Sequence, residues 1–324
     1  MIRIAAVSFL AASLSVVPAL SHADPNFPNK PIRIVNPFPP GGTTDAVSRQ
    51  IGDELNKAWG QPVLIDSKPG AAGNIGVQFV ARSAPNGYTI VLGTQGTHGT
   101  NAVLFKDLPF DPFKDFVPIT MVASAPLILV VNPALPATTV PELVKYAKSR
   151  SGGLSYASTS VGGGPHLAGE MFKRVSGLDL MHVPYKGSGP AKTDLLGGHV
   201  SLLFDNIASS LPAAKAGQLR ALAVTGSSRS GAAPDVPTMI ESGFPGFVVD
   251  GWYALYAPAG TPADIVKKLN VEIVRILRDP KVAERFKGLG LDIVASTTEE
   301  TTARMRVDLE RYTKVIRQAG IEPQ

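Results

Sequence analysis

The stretch IRIVNPFPPGGTTDAVSR, residues 32–49, carries three signals in succession. β-Branched residues dominate Ile32 to Val35, a Pro/Gly-rich turn follows, and Val47 opens a repeat that continues through Ile51, Leu55 and Ala58 towards Gly60. That is a strand, a tight turn and an amphipathic helix, the first half of a βαβ unit. The device recurs: STSVGGGPHLAGEMF (158–172) follows the strand-like LSYA, and YKGSGPAKTDLL (185–196) follows MHVP. Pro165 and Pro190 stand where the first helical residue is expected, a position that has no use for an N–H. Leu167, Met171 and Val175 predict the buried stripe of a helix ended by Gly177.

Further strand-like runs, PVLID, YTIVLGT, VSLLFDN and LRALAVTG, alternate with helical periods, so the fold class is α/β with parallel sheets. Two runs are longer. Phe116 to Val131 is continuously strand-like, and GWYALYAP (251–258) is the second. If each crosses between lobes, residues 24–123 and 251–324 form one lobe, 124–250 the other, and a cleft lies between them. Helical patterns at Pro262–Leu277 and Thr298–Ala319 close the chain.

A helix that begins directly after a glycine turn exposes unpaired N–H groups and the positive end of a dipole, and glycine lets main chain approach a ligand closely. An anion is the natural guest. Four or five charge-assisted contacts suffice for roughly micromolar binding, with no metal or cofactor. Three such loops at the carboxyl ends of strands outweigh the reading of each as a mere tight turn. Thr43 and Thr44 offer hydroxyls or cap the helix, and Asp45 reads as a helix-start residue. Ser158, Thr159 and Ser160 are small donors ahead of Gly163 and Gly164. His166 either donates to a carboxylate or fills the first turn, and Lys186 either neutralises an anion or is a solvated lysine beside Gly187. Asn206 is placed to read a ligand polar group, whereas Asp205 binds backbone or water. GTQGTHGTN (93–101) puts Thr94, Thr97 and His98 on a loop expected to face the cleft. Trp252 and Tyr253 either flank a ligand or pack the hinge.

Enzymatic chemistry finds little support. There is no G-x-S-x-G elbow, no H-E-x-x-H and no phosphate-binding G-x-x-x-x-G-K-[ST] motif. KPGAAGNIG (68–76) has the wrong glycine spacing for a dinucleotide fingerprint. The chain has no cysteine, so a zinc site would need scattered ligands and no disulfide supports the fold.

The N-terminus reads as a secretory signal: Arg3, an apolar run from Ile4 to Leu20, and Ser21-His22-Ala23 before Asp24, with residues 1–23 removed. The formal charge of +5 then loses only Arg3, leaving +4. That charge is spread thinly, without the basic runs and interleaved aromatics of a nucleic-acid binder.

PNKPIRIVNPFPPGGTTDAVSR, QPVLIDSKPGAAGNIG, PNGYTIVLGTQGTH, HLAGEMF, VPYKGSGPAKTDLLGG, LRALAVTG, PDVPTMIESGFPG and LYAPAGTP together resemble the substrate-binding proteins of tripartite tricarboxylate transporters, the Bug or TctC family. The resemblance implies a type II periplasmic-binding-protein fold: two Rossmann-like lobes joined by two crossing strands around a ligand cleft. It further implies a periplasmic, monomeric, non-enzymatic binder that closes on a small carboxylate and delivers it to integral-membrane subunits. Carried over residue by residue, the loop from Phe38 to Asp45, with Gly41, Gly42 and Thr43, would hold one carboxylate, and Ser158, Gly163 and His166 would meet it from the other lobe. Lys186-Gly187 and Asp205-Asn206 would shape the far end. Gly163-Gly164-Pro165 departs from the hydroxyl-bearing run usual in relatives, which shifts the expected load to backbone N–H groups. A membrane-kinase ligand sensor and an exported α/β hydrolase remain the alternatives.

Overall fold

A computed structural model describes residues 26–40, 42–159, 163–185, 188–318 and 323. The signal-like segment 1–23 and Gly41, Ser160, Lys186 and Gly187 lie outside the described residues. The first half runs β1 (Ile32–Asn36), α1 (Thr43–Trp59), β2 (Val63–Ser67), α2 (Asn74–Ala81), β3 (Thr89–Thr94), a wide helical turn Gly96–Thr100 leading into α3 (Asn101–Leu104), and β4 (Phe116–Val131). Then come α4 (Val140–Ser149), β5 (Leu154–Ser158), α5 (Gly164–Ser176), β6 (Leu180–Pro184), α6 (Ser188–Leu196), β7 (Leu202–Asn206), α7 (Ile207–Lys215) and β8 (Arg220–Val224). The chain closes with β9 (Asp250–Pro258), α8 (Ala263–Leu277), α9 (Pro280–Gly288), β10 (Asp292–Ile293) and α10 (Thr298–Gln318).

The strands form one continuous sheet in the order β2-β1-β3-β9-β4-β7-β5-β6, with β10 and β8 pairing β4 off that path. β4 makes it continuous. Its residues Phe116–Pro126 pair antiparallel with β9, and Leu127–Val131 pair with β7 and β8 instead. The chain returns at Val249, whose N–H donates to Thr225 O, and Asp250 then pairs with Pro126. Two strands therefore cross between two lobes.

Period-two alternation sorts each strand between two faces. In the first lobe Ile32 and Ile34 of β1 join Val47, Ile51 and Leu55 of α1 and Leu269 and Ile273 of α8. Val35 faces the other way, with Val77 and Val80 of α2 and Met305 of α10. In the second, Ile128 and Val130 of β4 pack with Leu195, Leu203 and Ile207, while Leu129 and Val131 join Tyr156, Phe172, Phe204 and Phe247. Each such fully buried aliphatic side chain contributes about 1.5–3 kcal/mol. The helix stripes differ from the sequence pattern at their ends. In α5, Leu167, Met171 and Phe172 are buried but Val175 is 41% exposed, because the 3.6-residue period drifts off the sheet by the last turn. In α1, Ala58 is exposed and Trp59 packs on the core in its place. Gly60 ends α1 in the left-handed region at φ 65°, its N–H on Asn56 O at 2.8 Å.

α10 belongs to both cores. Met305 lies against Trp252 and Tyr256 of β9, whereas Tyr312, Val315 and Ile316 lie in the second-lobe core with Phe172. A polar seam runs along the junction. Arg304 pairs with Asp250 and with Asp308 at 2.8 Å, Trp252 Nε1 donates to Asp308 at 2.9 Å, and Tyr312 OH donates to Asp250 O at 3.2 Å. Burial pushes the Asp250 carboxyl up, and the Arg304 charge opposes that shift.

Candidate functional site

The β1–α1 loop ends at Gly42, the N-cap of α1, in extended backbone (φ −86°, ψ 178°) and with no side chain capping the helix. Gly163 caps α5 in the same way, at φ −77° and ψ 169° and again with no side-chain cap. Uncapped, each helix start presents its first-turn N–H groups and the positive dipole end to whatever lies beyond it. On the cavity wall α1 offers Thr43 and Thr44; α5 offers Gly164, while Pro165 beside it has no N–H.

Both starts open on one cavity of about 500 Å³ between the lobes. The first lobe supplies Phe38, Gly42, Thr43, Thr44, Thr94, Gln95 and Gly96 to its wall, and the second supplies Thr159, Gly164, Pro165 and Asn206. The crossing strands and α10 form the floor with Leu127, Asp250, Gly251, Trp252, Tyr253 and Tyr312. Beyond Thr43, Asn206 and Tyr253 a second chamber of about 340 Å³ continues between the lobes, walled by Ala125, Ile207, Ala208 and Leu289 to Leu291.

Close packing beneath the loops fixes their position. A Cβ on Gly76 would lie 2.9 Å from Pro37 Cα and 2.8 Å from Lys68 O, so only glycine lets α2 approach the β1–α1 loop this closely. A Cβ on Gly73, itself at φ 92°, would meet Thr97 Cγ2 at 2.7 Å and Phe38 Cζ at 3.2 Å. The glycine string KPGAAGNIG is thus a packing device under two cavity-lining loops.

Several residues expected at the ligand sit one layer behind the wall. Thr97 is fully buried, and its Oγ1 accepts from Thr94 N at 2.9 Å and lies 2.9 Å from His98 Nδ1, tying the loop to itself. His98, expected to face the cleft, is also fully buried and stacks on Tyr256 with ring centroids 3.9 Å apart. Burial holds its pKa down to about 3. Ser158 is buried with Oγ 2.6 Å from His182 Nε2. His166 stacks on His182 at 4.0 Å, and His182 stacks on Tyr156, whose OH donates to Glu170 at 2.5 Å. Burial, then the neighbouring His182, lowers His166 to about 4 against the pull of Glu170, so at neutral pH the ring is uncharged. Asp205 accepts from Ser188 at 2.5 Å and Ser210 at 2.6 Å, which aims it into the lobe while Asn206 reaches the cavity. Of the third glycine loop, Ser188 is therefore held behind Asn206.

Gln95, Gly251, Tyr312 and Asp250 escaped the sequence reading. Gln95 lay inside the quoted loop between the two threonines. Tyr312 lay in a helix whose period marks it as core, and only tertiary packing brings it to the cleft.

A larger groove of about 680 Å³ lies on the second lobe, lined by Leu211, Ala214, Lys215, Arg220 and Ala233. It makes a poorer anion site. Its helix residues come from the carboxyl end of α7, where carbonyls point outward, and the Arg220 guanidinium already donates to Leu135 O and Ala137 O at 2.9 Å each.

Two α/β lobes, two crossing strands and a ligand-sized cleft between opposed helix starts define a type II solute-binding protein. The comparisons with known proteins name the family. The model of the tripartite tricarboxylate transporter family receptor, TctC, matches residues 47–321, and the chain belongs to that family. It is 37% identical to Protein BugT of Bordetella pertussis over 321 residues, covering 99% of this chain and 98% of that one. Among solved structures it is similar to R. palustris Rpa4515 with adipate (36% identity, TM-score 0.76, covering 92% of this chain and 100% of the other). It is likewise similar to MatC from Rhodopseudomonas palustris with bound malate (34% identity, TM-score 0.70, 90% and 100% covered). Among the described residues no helix is long and apolar enough to cross a membrane, and no cluster of His, Cys, Asp and Glu suited to a metal occurs.

Proposed function

We propose that this chain is a periplasmic receptor that traps a small carboxylate between its lobes and hands it to the integral-membrane subunits of a tripartite transporter, after export directed by residues 1–23. The observation that carries the reading is the convergence of two uncapped helix starts, one from each lobe, on a single cavity. A carboxylate bridging them satisfies N–H groups of both lobes at once, which couples binding to closure. Phe38, Gly41, Gly42, Thr43 and Thr44 hold the anion from the first lobe, with Thr94 beside them. Thr159, Gly163 and Gly164 meet it from the second, with the buried Ser158 and His166 side chains shaping the loop behind them. Asn206 borders the far end, with the Asp205 carboxylate behind it anchoring Ser188 and Ser210. The relatives that carry adipate and malate support a di- or hydroxycarboxylate. Titration calorimetry against di-, tri- and aromatic carboxylates is expected to find at least one micromolar ligand; heat from none of them refutes the reading.

One observation favours a second reading. Ser158 Oγ and His182 Nε2 stand at nucleophile–base distance. Ser158 has no exposed surface, however, and a nucleophile must reach its substrate. Ester or amide turnover lost in Ser158→Ala would establish a hydrolase; a silent assay together with retained binding supports the receptor.

A further inference from the structure

The loop that follows β3 keeps most of its polar groups busy. Thr94 and Thr97 bond each other through backbone and hydroxyl, and Thr97 also engages His98. Gln95, between the two threonines, differs. It lines the interlobe cavity, is only 8% exposed, and its side-chain Nε2 is enclosed with no hydrogen-bond partner among the described residues. A buried amide left unpaired destabilises a fold, so such a group is retained where something outside the fold completes it. The nearby charged residue on the cavity floor, Asp250, is already occupied by Arg304.

We propose that Gln95 is a specificity-determining residue of the cleft, turning its carboxamide to donate an N–H to a second oxygen of the ligand while the helix starts hold the first carboxylate. This rests on the carboxylate reading and narrows it: the ligand carries a second oxygen function, a carboxylate or hydroxyl, along its chain from the first. An amide suits that task because it donates to an oxygen without adding a fixed charge.

The test pairs each diacid or hydroxydiacid with its stripped monoacid, adipate with hexanoate and malate with butyrate, in calorimetry on the wild type, Gln95→Leu and Gln95→Glu. The wild type is expected to prefer the oxygen-rich member of at least one pair by tenfold or more. Gln95→Leu should lower affinity for that member by about ten- to a hundredfold, leave the monoacid within twofold, and so erase the preference. Gln95→Glu should lower it further, by setting a like charge against the ligand. Thermal unfolding supplies the second readout. Leu is close in volume and removes an unpaired amide, so Gln95→Leu should melt at the wild-type temperature or above it. An equal loss for both members of a pair, an unchanged preference, or a lowered melting temperature in Gln95→Leu overturns the assignment. So does a wild type that shows no preference in either pair, although the carboxylate reading survives that result. A wild type that binds no carboxylate at all overturns both.

Discussion

The starts of α1 and α5 are one design built twice and finished differently. Each follows a strand, each is capped by an extended glycine, and each opens on the same cavity. The first-lobe start presents the N–H groups and hydroxyls of Thr43 and Thr44, both on the cavity wall. The second-lobe start puts Gly164 and Pro165 on that wall, of which Pro165 has no N–H, and its polar side chains Ser158 and His166 are turned inwards to His182. On the proposed reading the first lobe is the stronger anion holder, and the other is the closing half that adds less. In a hinged binder such asymmetry lets the ligand dock on the open first lobe before the second arrives.

The largest effect expected from this comparison is at Gly42. A side chain fits there: the nearest atom to a built Cβ is Pro39 O, at 3.9 Å. Asp is a favoured N-cap in this extended conformation, so Gly42→Asp should cap α1 and keep or raise stability by a few tenths of a kcal/mol. Its carboxylate then occupies the place of the ligand's own. Repulsion of about 4 kcal/mol at 4 Å and moderate dielectric corresponds to roughly a thousandfold loss of affinity. Near-normal binding by a folded Gly42→Asp protein would remove α1 from the site.

The supports beneath the two loops give the next effect. Behind the first, His98 is fully buried against Tyr256 with its pKa held near 3; behind the second, His166 and His182 stack and His166 titrates near 4. An unfolded histidine titrates at about 6.5, so between that pH and the folded value the unfolded chain binds more protons. Stability is therefore fully present above about pH 6.5 and lost as pH falls through the window towards 3. His98 alone should withdraw about 3 kcal/mol by pH 4. Denaturant unfolding from pH 7 to 4 is expected to show that slope and His98→Phe to flatten it; a variant with the wild-type slope assigns the acid sensitivity to the second lobe.

Gly163→Asp is the partner of the Gly42 substitution and should cost about tenfold in affinity, the lesser loss expected where Pro165 leaves fewer N–H groups to converge. Calorimetry of the two variants side by side decides the ranking. Losses of equal size would mean that the lobes share the anion evenly.

The architecture was legible because its signals are local. β-Branched runs, glycine caps and the position of the helices follow from residues a few places apart, and the long run from Phe116 to Val131 is the crossing strand itself. The site was legible as loops rather than as side chains. Gly42, Thr43, Thr159 and Asn206 border the cavity, yet Thr97, Ser158, His166 and Asp205, equally polar and equally close to the glycines, turn into the lobes. Which way a side chain points from a turn depends on partners distant in sequence, such as His182 for Ser158, 24 residues away. The dual role of α10 was hidden for the same reason. Its apolar period shows a buried face but not that Met305 and Tyr312 are buried in different cores.

The smallest expected effect isolates the cause of the asymmetry. If the second-lobe start is weaker because Pro165 removes one donor, Pro165→Ala restores an N–H in the second position of α5 while keeping a Cβ in the same buried place. The substitution loosens the unfolded chain and so costs stability, by less than about 1 kcal/mol. Affinity should nevertheless rise about threefold, less than a full charge-assisted hydrogen bond would give, because the new donor must share an anion already engaged by the other helix-start donors. A gain in Pro165→Ala with no further change in Gly42→Asp/Pro165→Ala would show that the added N–H acts on the same carboxylate that α1 holds. Unaltered affinity in the single variant would assign the difference between the lobes to the Thr43 and Thr44 hydroxyls rather than to backbone donors.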